Sequence, residues 1–180
     1  MQLVNYDKDK GTENADLFTI IKQNPLATLV FVDAEQISHV SHIPCHFDAD
    51  NHDLIAHVSN HHPLAKALKA MSNGIEGVNI QLVFHGDSHY MSPNDVAACD
   101  RTPKTVPTWR YSNAHVVGVA VEIGDTKEKF QQMVLTTAYF EKNKKTPWSM
   151  DKVSATAITH MLNVITVFKI SIDQCKKSDN

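Results

Sequence analysis

The chain has 180 residues, 42% of them hydrophobic and 21% charged, and a net charge of −3 with its histidines neutral. Such a composition fits one globular core, and no run of about 18 apolar residues offers a membrane span. The slight acidic excess argues against a broad nucleic-acid footprint, and three scattered cysteines (Cys45, Cys99, Cys175) exclude a disulfide framework or a CxxC metal site and suit the cytoplasm.

The first residues, MQLVNYDKDKGTENAD, have neither the basic start nor the apolar middle of a secretion signal. Residues 14–24 predict a short helix with Leu17, Ile20, Ile21 and Asn24 on one face and Pro25 as its stop. ATLVFV (27–32) predicts a strand buried on both sides. QISHVSHIPCHF (36–47) alternates and predicts one second strand, with a turn at 48–51; LIAHVS (54–59) is the third. Pro63 suits the first turn of a helix whose stripe is Leu64, Ala67, Leu68 and Met71.

VNIQLVF (78–84) predicts a fourth strand, turned by His85, Gly86 and Asp87 into a fifth around 89–92, followed by an irregular loop over 93–104. Residues 115–123 alternate, with His115, Val117, Val119, Val121 and Ile123 on one face. Asp125 and Glu128 form a capping box for a helix with the stripe Phe130, Met133, Val134 and Ala138. Ser149 opens another helix through Val153, Ala157, Ile158 and Met161, residues 164–172 are the last strand, and CKKSDN is a polar tail. Short connections between six or seven strands imply antiparallel pairing. The expected architecture is mainly β, a curved sheet closing into a small barrel with peripheral helices. It forms a single domain over 1–180, with strands within 27–123 and 164–172 and helices over 125–162.

Eleven histidines are the compositional oddity, and they concentrate between residues 39 and 115. They lack ligand spacing: His42 and His46 share a strand face while His39 points away, and no HExxH occurs. GxSxG, GxGxxG and GxxxxGK[ST] are all absent, and six glycines cannot build a phosphate-cradling loop. A phosphate must then be met by side chains and a helix N-terminus. Asn60, His61 and His62 stand at such a place, just before Pro63; the other reading is an ordinary capped surface helix. Lys104, Thr108, Trp109, Arg110 and Tyr111 mix flat surfaces with donors, as a wall for a planar polar ligand does. The alternative is a Trp and a Tyr packed in the barrel core with Arg110 exposed.

HIP at 42–44, HVS followed by HPL within 57–64, VFHGDSHYMSP at 83–93, VPTWRY and AHVVG within 106–118, and PWSMD at 147–151 occur in a characteristic order. Together they resemble the PaiB-like family, FMN-binding split-barrel proteins named as negative transcriptional regulators. The resemblance covers about residues 20–172. It implies a homodimer of antiparallel split β-barrels with FMN at the dimer interface. The second strand would run beside the isoalloxazine, and the phosphate would lie where the third strand gives way to the helix. The cofactor-binding residues it implies are His42, Ile43, Pro44, His57, Val58, Asn60, His61 and His62, with Tyr90, Ser92, Lys104, Thr108 and Trp109 as a further wall. Any redox chemistry would belong to the flavin, so no catalytic side chain and no metal are expected. Asn60-His61-His62-Pro63 replaces an expected Arg-x-Asn-Pro, which predicts FMN held weakly or lost on purification, with His62 helping an anion more when protonated. A haem- or other planar-ligand-binding module on the same barrel is the alternative. Direct DNA binding is not expected, because no helix-turn-helix is recognisable.

Overall fold

The computed structural model describes residues 4–5, 15–71 and 77–179. A two-residue strand, β1 (Val4–Asn5), precedes helix α1 (Ala15–Gln23), which buries Leu17, Phe18, Ile20 and Ile21. Residue 14, the predicted start of this helix, lies outside the described residues. The Asn24 amide closes the last turn by donating to the Ile20 carbonyl at 3.1 Å.

Strand β2 (Leu26–Val32) follows, with Ala27, Leu29 and Phe31 in the core and Leu26 and Val32 exposed. It is therefore buried on one face only, contrary to the reading of its apolar run. The single strand expected over 36–47 is two strands, β3 (Ser38–Pro44) and β4 (His46–Asp48). Pro44 has no N–H to extend a ladder. The buried Cys45 gives its N–H to the Pro25 carbonyl at 2.8 Å, one step beyond the Leu26–Pro44 pair of β2 and β3, and the next residue begins pairing with β5 instead.

The remaining elements are β5 (Asp53–Ser59), α2 (Pro63–Met71), β6 (Val78–Met91), β7 (Thr108–Glu122), α3 (Thr126–Glu141), α4 (Ala155–Asn163) and β8 (Ile165–Asp179). Hydrogen-bonded neighbours run β3-β2-β6-β7-β8-β5-β4, every pairing is antiparallel, and β1 pairs with β8. The two edges, β3 and β4, are consecutive in the chain and joined through Cys45. The sheet thus curls until β3 approaches β5, but those two strands do not pair. The expected barrel closure does not occur; the barrel is split there.

Inside the curl, α1 and α2 contribute Ile21, Leu64, Ala65 and Leu68 to one core with Leu29, Leu54, Leu82, Phe84, Phe168 and Ile170. On β7 the small face points inward: Ala114, Val116, Gly118 and Ala120 are buried, while His115, Val117 and Val119 face outward. A Cβ at Gly118 would stand 2.2 Å from the Ser171 carbonyl oxygen, so β8 approaches β7 there as only glycine permits.

His85, Gly86 and Asp87, read as a turn, are instead a bulge within one 14-residue strand. A Cβ at Gly86 would lie 2.4 Å from the Ser112 carbonyl oxygen, so the glycine lets β6 hug β7 through the irregularity. The β6–β7 hairpin consequently continues as an arm, pairing Tyr90 with Trp109 and Met91 with Thr108. The polar tail is also strand: β8 runs to Asp179, pairing His115 with Lys176 and Ser112 with Asp179. Antiparallel hydrogen bonds to β7 and burial of Cys175 outweigh the polarity of that segment.

Asp125 caps α3 as expected, its carboxylate accepting the Glu128 N–H at 2.8 Å. The expected apolar stripe is not a core stripe. Met133 packs against Ile55, Ile123 and Val167, but Phe130, Val134, Leu135 and Ala138 are exposed. Helix α4 begins at Ala155 rather than near Ser149, because Ser154 supplies the cap by accepting the Ala157 N–H at 3.3 Å. Ser149 precedes a single 3-10 turn, Met150–Lys152.

Candidate functional site

Where β3 and β5 part, the sheet leaves a cavity of about 610 Å3. One wall is Ser41, His42, Ile43 and Pro44 of β3. The other is His57, Val58 and Ser59 of β5, continuing through Asn60, His61 and His62, and Asn163, Val164 and Ile165 complete it at the α4–β8 junction. This is the range of volume typical of small-molecule and cofactor sites, roughly 300–1,000 Å3. Eight residues singled out in the sequence meet here: His42, Ile43, Pro44, His57, Val58, Asn60, His61 and His62.

Their side chains are differently employed. Ile43 and Val58 are buried and belong equally to the core, giving the cavity an apolar floor. The half-buried His57 ring has no hydrogen-bond partner among the described residues, and burial holds its pKa below the ordinary value of 6.5. It is a neutral imidazole at pH 7, with ring nitrogens free for a ligand. His42 and His61 are exposed at the rim.

Asn60 is a clamp rather than a free donor. Its amide donates to the Asn163 carbonyl at 2.6 Å, its carbonyl oxygen accepts from the Thr166 hydroxyl at 2.8 Å, and its N–H reaches the Val164 carbonyl at 3.0 Å. These bonds tie the end of β5 to the start of β8. Thr166 is fully buried, so removing its acceptor strands a hydroxyl. Asn60→Ala is expected to cost about 1–3 kcal/mol, read as a lowered thermal midpoint.

His62 is likewise committed. Its Nδ1 accepts the Leu64 N–H at 3.1 Å, which makes His62 the cap of α2, and its Nε2 carries the proton toward the Ser41 hydroxyl at 3.1 Å. A proton added at Nδ1 would break the cap. Burial, and then the neighbouring His39, lower its pKa. With Nδ1 accepting and Nε2 on Ser41 the ring is a neutral latch from α2 to β3, so the help expected of a protonated His62 toward an anion would come only with loss of this cap.

Four histidines have folded pKa values below 6.5, each chiefly through burial: His46, His57, His62 and His115. Lys142 adds to the shift at His46 against the opposing Asp48, and Lys176 and His85 add to it at His115. The unfolded chain binds more protons than the folded one below that ordinary value, so their stabilisation is present above about pH 6.5 and lost as pH falls. The thermal midpoint is expected to drop between pH 7.5 and 5, and to drop less in His57→Gln.

The other predicted wall residues do not line the cavity. Tyr90 and Trp109 face each other across the β6–β7 arm with ring centroids 6.0 Å apart, and both are more than half exposed, at 52% and 58%. Of the Trp and Tyr read as possible core residues, Trp109 is exposed and Tyr111 half-buried, with Arg110 exposed between them. Thr108 sits beside them, Lys104 is exposed in the loop before β7, and Ser92 caps a 3-10 turn by accepting the Asn94 N–H at 3.2 Å. The sequence reading missed Ser41, Ser59, Asn163, Val164 and Ile165. The last three come from a helix–strand junction more than 100 residues from Asn60, and no local pattern announces that meeting. Among the described residues no group of three His, Cys, Asp or Glu side chains is placed to hold a metal. No helix there is long and apolar enough to cross a membrane.

An antiparallel sheet curled to an open seam, with a ligand-sized cavity in that seam, defines a split β-barrel. Over residues 7–174 the chain matches the family described as "Putative FMN-binding domain", and it belongs to that family. It is 22% identical over 166 residues to protease synthase and sporulation protein PAI 2 of Bacillus subtilis, covering 91% of this chain and 74% of that protein. It is 29% identical over 108 residues to the uncharacterized protein YKL070W of Saccharomyces cerevisiae, 60% of either length. The fold matches the FAD and heme binding protein from Mycobacterium smegmatis with a TM-score of 0.63 at 16% identity, covering 100% of this chain and 74% of that one. The PaiB-like resemblance carried by the sequence motifs is borne out.

Proposed function

We propose that the cavity between β3 and β5 holds a flavin, FMN in the family pattern, with its ring system along β3 and its phosphate toward the turn at His61. The observation that carries this reading is the cavity itself. It opens at the seam of a split barrel, has the volume of a cofactor site, and combines an apolar floor of Ile43 and Val58 with the unpartnered ring of His57. A bound flavin would supply electron or hydride transfer; the chain supplies position and polarity. Ile43 and Val58 exclude water from one ring face, and His57 can meet a polar edge of the ligand. No side chain of the wall is assigned a catalytic role.

The site is completed by a second copy. The β6–β7 arm exposes an aromatic pair that lies outside the lining of this cavity, and Val40 on the edge strand β3 is 65% exposed. A homodimer that lays the arm of one copy over the cavity of the other would cover both and bring Tyr90 and Trp109 to the ligand. The reduced thiols Cys45, Cys99 and Cys175 suit a cytoplasmic protein. With a net charge of −3, a regulatory role would run through ligand occupancy rather than through a duplex.

A second reading, a haem or another planar ligand in the same cavity, is favoured by one observation: the neutral, unpartnered His57 ring offers a nitrogen to a ligand iron. The absorption spectrum of the protein as isolated, and again after incubation with FMN or haem, separates the two. A bound-flavin spectrum on incubation with FMN, with little flavin carried through purification, is the expected result; retained haem with no flavin binding would replace the first reading by the second.

A further inference from the structure

We infer that this cavity grips a flavin by its ring system and offers no fixed charge to the phosphate, so that riboflavin and FMN bind with nearly equal affinity. The inference rests on the flavin reading and specifies its ligand class. None of the residues lining the cavity is Lys, Arg, Asp or Glu. The fixed donors nearest the turn, the first-turn amides of α2 and the rings and amides of its neighbours, are largely engaged within the fold, which leaves neutral hydroxyls and imidazoles at the rim.

The first turn of α2 has no amide to give. Pro63 lacks an N–H, the Leu64 N–H goes to the His62 ring, and those of Ala65 and Lys66 go to the His62 carbonyl at 3.0 and 3.3 Å. One N–H of the Asn60 amide is held by the Asn163 carbonyl, and the His62 Nε2 by Ser41. Lys129 places its ammonium on the carbonyls of Leu162 and Ile165, both at 2.6 Å. A phosphate at the cavity mouth would therefore stay in water, whereas the apolar floor and the His57 ring serve either flavin alike. The pieces fit the ring and do not fit a tightly held dianion.

The test is a pair of fluorescence titrations, riboflavin and FMN, on the full chain at pH 8, where an ordinary imidazole is uncharged. The dissociation constants are expected to agree within about threefold, and the FMN value to change little with added salt. His61→Arg places a permanent charge at the rim, on an exposed side chain outside the Asn60 and His62 hydrogen bonds. It is expected to tighten FMN by about ten- to a hundredfold and leave riboflavin unchanged. FMN binding tenfold or more tighter than riboflavin in the native chain would overturn the inference alone, showing a cation delivered from elsewhere, such as Lys104 or Arg110 on the arm of a second copy. Equal gains for both flavins in His61→Arg would overturn the placement of the phosphate at this turn. Failure of both flavins to saturate would overturn the flavin reading itself.

Discussion

Replacing Phe168 by alanine is expected to destabilise the fold by about 3–5 kcal/mol, a fall of about 6–20 °C in the thermal midpoint for a domain of this size. Phe168 is fully buried on β8, opposite Ala56 of β5 and Glu122 of β7. Its ring fills the core where the two halves of the curled sheet face the helices, and strand backbones cannot collapse into the space it would leave. The loss is comparable with the whole stability of many domains, about 5–15 kcal/mol. Its consequence reaches the site, because β5 and β8 carry His57 and Ile165. Calorimetry or denaturant unfolding reads the effect; a midpoint within 2 °C of the native chain would show that Phe168 does not hold the two strands.

Trp109→Ala is expected to act on association rather than on folding. In one chain Trp109 is a 58% exposed residue whose ring meets Tyr90, and trimming such a side chain costs about 0.5 kcal/mol or less in stability. In the proposed dimer it is a buried aromatic at the centre of an interface, where truncation costs about 2–4 kcal/mol, or about 30- to 1,000-fold in the dissociation constant. Sedimentation of both proteins at micromolar concentration should show native dimer and largely monomeric variant, with unchanged thermal midpoints at matched monomer content. A native chain that sediments only as monomer would remove the dimer and with it the aromatic cover of the cavity.

What the sequence disclosed and what it concealed follow one physical division. Apolar runs, period-two alternation and the Pro63 helix start are local signals, and they placed β2, β5, much of β7 and α2 and pointed to the turn at 57–63 where the cavity lies. The fates of Asn60 and His62 are not local. Whether an Asn donates to a ligand or to the carbonyl of Asn163 depends on where a distant helix ends. Whether a His points into a cavity or caps its own helix depends on the Ser41 hydroxyl across the seam. The bulge at Gly86 was misread as a turn because His-Gly-Asp carries turn chemistry; only the partner backbone at Ser112 shows that the strand continues. The strand over residues 173–179 was hidden for a similar reason, since its polar side chains are held in place by main-chain bonds to β7. The stripe of α3 was legible, but periodicity reports a shared face and not what covers it.

A flavin in the seam between β3 and β5 makes a direct demand on His57, which lines that cavity. FMN is titrated against the native chain and against His57→Trp, whose larger ring would occupy the cavity from its wall, and binding is followed by flavin fluorescence alongside thermal midpoints. Saturable binding of one FMN per chain is expected, with at least a tenfold loss of affinity in His57→Trp and the midpoint preserved. Equal affinity in both proteins, or no saturation in the native chain, would contradict a flavin site in the seam.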